Sequence, residues 1–193
     1  MPSSTAFPLP PSLPVPGDDG GCRHLVGMRM PDVALPSTDG RTVNLGALPA
    51  LRTVIYCYPM TGVPGVSLPD GWDLIPGARG CTPQTCAFRD HHRDLAALGA
   101  DVYGLSTQTT DYQKEMAERL HLPFAVLSDT ALALCAALRL PTFTVDGMRL
   151  VKRLTLVVSR NRIETVFYPV FPPDKNADDV IAWLIRHPLE SES

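Results

Sequence analysis

Residues 53–58, Thr-Val-Ile-Tyr-Cys-Tyr, form a β-branched and aromatic run too short for a typical helix and closed by Pro59, which reads as a buried strand. The order of elements after it constrains the fold most. A glycine- and proline-rich loop over residues 60–80 leads to a helical pattern over about 83–98, a strand over 101–106 and a helix over about 110–120. Parallel neighbours need a crossover of helix length, so this βαβα order predicts a parallel sheet with right-handed connections. A third strand at 124–127 precedes a short helix at 131–138. The pattern then changes: strands at 153–158 and 162–170 flank Ser159-Arg160-Asn161 as an antiparallel hairpin, and residues 174–187 form a closing amphipathic helix. Upstream, residues 32–36 and 41–45 flank the turn Ser37-Thr38-Asp39-Gly40 as another hairpin. The whole is an α/β layout of thioredoxin-like type, a central mixed sheet flanked by helices, with a long loop before the first of them.

With 193 residues, 45% of them hydrophobic, the chain can bury one substantial core, which the sequence places at residues 23–188. Residues 1–22 contain Pro2, Pro8, Pro10, Pro11, Pro14 and Pro16 and read as a disordered or polyproline-like arm, and residues 189–193 as a tail. The formal net charge of -3, without a basic cluster, argues against a nucleic-acid partner. No apolar run approaches the roughly 20 residues of a membrane span. The first residues lack the basic start and apolar run of a secretory signal, so the expected location is the cytoplasm.

The five cysteines, Cys22, Cys57, Cys81, Cys86 and Cys135, form neither an even extracellular framework nor paired CxxC zinc knuckles, which also fits a reducing compartment. Cys81 and Cys86 sit where a helix starts, with Thr82 as its expected N-cap and Pro83 in its first turn. The unpaired N–H groups and dipole of a helix start favour negative charge, and the thiolate is the reactive form of cysteine. Cys57 and Cys135 read as packing residues, although a partly exposed Cys135 is a second candidate to pair with Cys81, and Cys22 reads as incidental. His91 and His92 follow the pair, but adjacent helical side chains point about 100° apart and do not converge on one ion. Trp72 reads as a packing group placed to cover a pocket, and Arg153, from spacing alone, reads equally as an ordinary solvent-facing strand residue and as a functional one.

Several ordered segments carry a resemblance. Met30-Pro31-Asp32-Val33-Ala34-Leu35-Pro36 with Asp39-Gly40, then Tyr58-Pro59, then Gly80-Cys81-Thr82 through Cys86 to Arg89-Asp90, then Phe124 through Asp129, and finally Arg153-Leu154-Thr155 resemble the peroxiredoxins of the Q-type, or bacterioferritin-comigratory, class. The resemblance covers about residues 26–183 and implies a thiol-dependent peroxidase. It makes Cys81 the peroxidatic cysteine, whose thiolate attacks a hydroperoxide and becomes a sulfenic acid, and Cys86 the resolving cysteine, which closes an intramolecular disulfide. It places Arg153 beside Cys81 to stabilise the thiolate and the peroxide. It implies a thioredoxin-like or glutaredoxin-like reductant, a monomer or weak homodimer, and neither a metal nor an organic cofactor.

The chain departs from the family pattern P-x-x-x-T-x-x-C. About fifteen residues are inserted between Pro59 and Cys81. Ala78 stands where the pocket threonine is expected, leaving Thr61 as the tentative substitute, and Gln84 replaces a glutamate. Two other readings stay open. One is a protein thiol-disulfide oxidoreductase, although four residues rather than the usual two separate the pair; the other is a metal-binding or redox-sensing module.

Overall fold

The computed structural model describes residues 9–189. A five-stranded sheet forms its centre, its strands lying side by side in the order 126–128, 100–106, 52–57, 154–159 and 162–167. The strands β3 (Arg52–Cys57), β4 (Ala100–Ser106) and β5 (Val126–Ser128) are parallel, whereas β8 (Leu154–Ser159) runs antiparallel to β3 and β9 (Arg162–Phe167) antiparallel to β8. The expected central mixed sheet flanked by helices is therefore present.

The two-residue period of a strand divides the core between the two sheet faces. Ile55 and Cys57 of β3, with Leu154, Leu156 and Val158 of β8, meet Leu134, Cys135 and Leu138 of α4 (Ala133–Leu138). Val54, Tyr56 and Tyr58, with Val157, meet the opposite layer: Phe88 of α1 (Cys81–Asp90), Leu95 of α2 (His92–Ala97), Met116 of α3 (Thr110–Arg119), and Ala177, Val180 and Leu184 of α5 (Asn176–Arg186). The Tyr56 ring lies parallel to Phe88 with centroids 4.5 Å apart. Gly104 of β4 makes room for it, since a Cβ there would lie 2.7 Å from the Tyr56 hydroxyl oxygen.

Several expectations need correction. The single helix over 83–98 is two, because the chain leaves helical geometry at His91 (φ -96°, ψ 10°). The helix begins two residues earlier than expected: Gly80, not Thr82, is its N-cap, and Cys81 is its first residue. Gly80 has φ +108°, a left-handed conformation that favours glycine, and a Cβ there would meet the Pro173 ring at 2.3 Å. A hairpin of β6 (Thr142–Val145) and β7 (Met148–Val151) was not anticipated. The hairpin of β1 (Ala34–Pro36) and β2 (Thr42–Asn44) lies where expected.

Residues 1–8 of the proline-rich arm lie outside the described residues; within residues 9–22, Leu9, Pro16, Asp19 and Cys22 contact the domain, while Pro11, Ser12, Val15 and Gly17 are exposed. Asp19 accepts hydrogen bonds from Lys152 Nζ and the Tyr168 hydroxyl, each at 2.7 Å, and both hold its carboxyl well below the usual range. Cys22 is a buried core residue rather than an incidental one.

Candidate active site

Sheet register and the helix start bring the site together. Side chains at positions 155 and 157 of β8 face the α1 layer, and Arg153, immediately before the strand, continues that parity. It is not part of the strand itself, as the sequence suggested, but it reaches α1 and is 3% exposed. Its Nη2 donates to Cys81 Sγ at 3.2 Å, to the Ala78 carbonyl at 3.0 Å and to the Arg79 carbonyl at 3.2 Å, and its Nη1 donates to Gln84 Oε1. All of these acceptors are uncharged groups except the sulfur when ionised.

Gln84 is the link that the sequence did not reveal. Fully buried on α1, it accepts from Arg153 and donates through Nε2 to Asn176 Oδ1 at 2.9 Å. Asn176 Oδ1 also accepts from the Thr155 hydroxyl at 2.6 Å. The chain Arg153–Gln84–Asn176–Thr155 ties β8, α1 and α5 together and fixes the guanidinium through neutral partners. A buried donor or acceptor left unpaired here costs roughly 1–3 kcal/mol. The only signal in the sequence was Gln84 itself, standing where a glutamate was expected.

Cys81 is 3% exposed, and its sulfur also donates to the Ala78 carbonyl at 3.6 Å. It lines a cavity of about 370 Å³ together with Thr61, Trp72, Arg119 and Leu9. Thr61 thus shares a cavity with Cys81, as the sequence suggested. Gln108 clamps it there: its Oε1 accepts from the Thr61 backbone N–H at 3.0 Å and from the hydroxyl at 3.4 Å, while its Nε2 donates to the Thr61 carbonyl at 3.2 Å. With its proton directed at Gln108, the hydroxyl keeps lone pairs for a donor in the cavity.

The inserted loop has its own small core. Met60, Trp72 and Ala78 pack with Leu150 of the unanticipated β6–β7 hairpin, and Trp72 lies 6.2 Å from the Phe143 ring. Trp72 is both a packing group and a wall of the cavity.

Cys86 lies half-buried on α1, and burial raises its pKa. The other thiols are remote from this chemistry. Cys22, Cys57 and Cys135 belong to the core on the opposite sheet face, where burial pushes Cys22 and Cys135 up to about 12 and Cys57 well above its ordinary value. Cys135 is buried rather than partly exposed and packs on the opposite sheet face from Cys81. His91 contacts Asp94 at 3.0 Å and Asp178 at 3.1 Å and marks the α1–α2 break.

The Redoxin family matches residues 25–181. Peroxiredoxin Bcp of Escherichia coli K12 is 31% identical over 163 residues, covering 81% of this chain and 93% of that protein. The chloroplastic peroxiredoxin Q of Sedum lineare is 28% identical over 178 residues, covering 90% and 85%. The crystal structure of peroxidoxin BcpB from Mycobacterium tuberculosis superposes with a TM-score of 0.69 at 26% identity, covering 87% of this chain and all of that one. The matched span contains the parallel core, the cysteine at the start of α1 and the arginine preceding β8, and the chain belongs to the Redoxin family as a thiol peroxidase of the peroxiredoxin Q/Bcp class.

Proposed function

We propose that Cys81 is the peroxidatic and Cys86 the resolving cysteine of a peroxidase that completes its oxidative half-cycle within one chain. The observation that carries this reading is the 3.2 Å contact between the Arg153 guanidinium and Cys81 Sγ, at the first residue of a helix and on the wall of a cavity. The guanidinium and the free N–H groups of the first turn both stabilise a thiolate. That thiolate attacks the terminal oxygen of a hydroperoxide; the O–O bond breaks, sulfur is oxidised to sulfenic acid, and the leaving oxygen takes a proton to depart as water or an alcohol. Arg153, held by Gln84, donates to the oxygen on which charge develops. Cys86 then displaces hydroxide from the sulfenic acid, which leaves as water, and forms the disulfide. A thioredoxin-like dithiol reduces that bond by thiol exchange, with a glutaredoxin-like protein as the second possible reductant.

The location of both thiols on one helix means that the cycle needs no second subunit, which supports a monomer or weak homodimer. The need for a dithiol reductant and the odd thiol count support the cytoplasm. Among the described residues no helix is long and apolar enough to cross a membrane. Thiol chemistry alone accounts for the steps, with no metal or organic cofactor required.

One equivalent of hydrogen peroxide should yield a Cys81–Cys86 disulfide by peptide mapping, with consumption sustained by a thioredoxin system. A bond between Cys81 and Cys135, or between two chains, would refute the resolving role. Thr61 supplies the hydroxyl that position 78 lacks, accepting a hydrogen bond from the peroxide while Gln108 holds its proton. Thr61→Val is therefore expected to raise the barrier to sulfenic acid formation by about 1–3 kcal/mol. An unchanged second-order rate constant in stopped-flow fluorescence excludes Thr61.

A further inference from the structure

The segment at residues 9–22 has a consistent course. It leaves the core at Cys22, is pinned by Asp19 to Lys152 and Tyr168, lies against Gly77 of the inserted loop at Pro16, and reaches the start of α1 at Leu9. A Cβ on Gly80 would lie 3.1 Å from Leu9 Cδ2, and Leu9 shares the cavity wall with Cys81 and Thr61. Pro10, Pro11, Pro14 and Pro16 stiffen the intervening chain by fixing φ, so ordering its course, a turn at residues 11–12 followed by irregular chain, costs less conformational entropy than it would for an ordinary sequence.

We propose that Leu9 is a specificity-determining wall of the peroxide cavity, held over Cys81 by this proline-stiffened strap. The proposal rests on Cys81 being the peroxidatic cysteine. A hydroperoxide presents a small reacting end, but its carbon body must fit the remaining space, and Leu9 takes a share of that space. The strap therefore favours hydrogen peroxide and compact alkyl hydroperoxides over bulky aryl ones. Leu9 itself touches no reacting atom in this role. Asp19 acts at a distance, as the fastening that keeps the strap in register.

The test compares stopped-flow rate constants for oxidation of Cys81 by hydrogen peroxide and by cumene hydroperoxide in the full-length protein, Leu9→Ala, Leu9→Trp and Asp19→Ala. Leu9→Ala should raise the cumene-to-hydrogen-peroxide ratio by roughly tenfold, the scale on which an apolar pocket distinguishes small changes in volume. Leu9→Trp should lower it, and Asp19→Ala should raise it while leaving the hydrogen peroxide rate near that of the parent. If both rates change by one common factor, or the ratio stays fixed in all three variants, the strap has no part in selectivity. A parent protein whose Cys81 neither hydroperoxide oxidises overturns the peroxidatic reading and this proposal together. An oxidisable parent with an unchanged ratio overturns the strap alone.

Discussion

Cys81→Ser is expected to abolish peroxide reduction, and Arg153→Met to slow it by about 100- to 1,000-fold, the usual effect of removing one preorganised donor to developing negative charge. The two losses have different origins. A serine hydroxyl at position 81 is not ionised near neutral pH and has no accessible sulfenic state, so the first step has no nucleophile. Methionine at 153 leaves the sulfur but removes the donor 3.2 Å away and frees the carbonyls of Ala78 and Arg79 and the Gln84 amide from their partner. Arg153→Lys should recover only part of the rate, because one ammonium cannot reproduce the planar fork that meets four acceptors. Thermal melting monitors the structural cost of the arginine variants, and sulfenic acid trapping with single-turnover kinetics reads the chemistry. Substantial peroxide consumption by folded Cys81→Ser, or a near-normal rate in Arg153→Met, contradicts the assignment of these residues.

The site was legible in the sequence to the extent that its signals are local. Cys81 follows a glycine where a helical pattern begins, and the β-branched run at 53–58 announces the strand that underlies it. Local sequence also contained the missed β6–β7 hairpin. Asp146-Gly147 is a turn pair flanked by Thr142-Phe143-Thr144-Val145 and Met148-Arg149-Leu150-Val151, and both turn residues have positive φ in the structure. The contacts that complete the site were not legible, because they join residues far apart in the chain. Arg153 meets Gln84 only because β8 pairs with β3 in a register that turns odd positions toward α1. Leu9 reaches Gly80 from 71 positions away, along a segment that touches the inserted loop at Pro16 and the β8–β9 side of the domain at Asp19. Proline richness is shared by disordered tails and by stiff extended segments; what separates them is the surface they meet, and composition does not encode that.

Disulfide formation is expected to melt the first turns of α1. In the reduced structure both thiols belong to one helix, Cys81–Asp90. Five residues along an α-helix advance about 7.5 Å and turn about 140°, which places the Cα atoms about 8–9 Å apart, beyond the roughly 7 Å reach of a disulfide. The bond closes only if the helix opens. The N–H groups of the first turn have no acceptor within the helix, whose first backbone bond runs from Gln84 N–H to the Gly80 carbonyl, so opening here breaks fewer hydrogen bonds than opening a mid-helix turn. Opening also helps the chemistry: burial holds the Cys86 pKa up, and exposure to water removes that cause and enlarges the thiolate fraction that can attack the sulfenic acid. Resolution should consequently accelerate as pH rises toward the ordinary thiol range. Oxidised protein should exchange its amides from about residue 81 to 89 at least tenfold faster than reduced protein, while β3 and β8, each paired on both sides, stay protected in both states. Equal protection of α1 in the two states, with a mapped Cys81–Cys86 bond, would show that the helix accommodates the disulfide without unwinding.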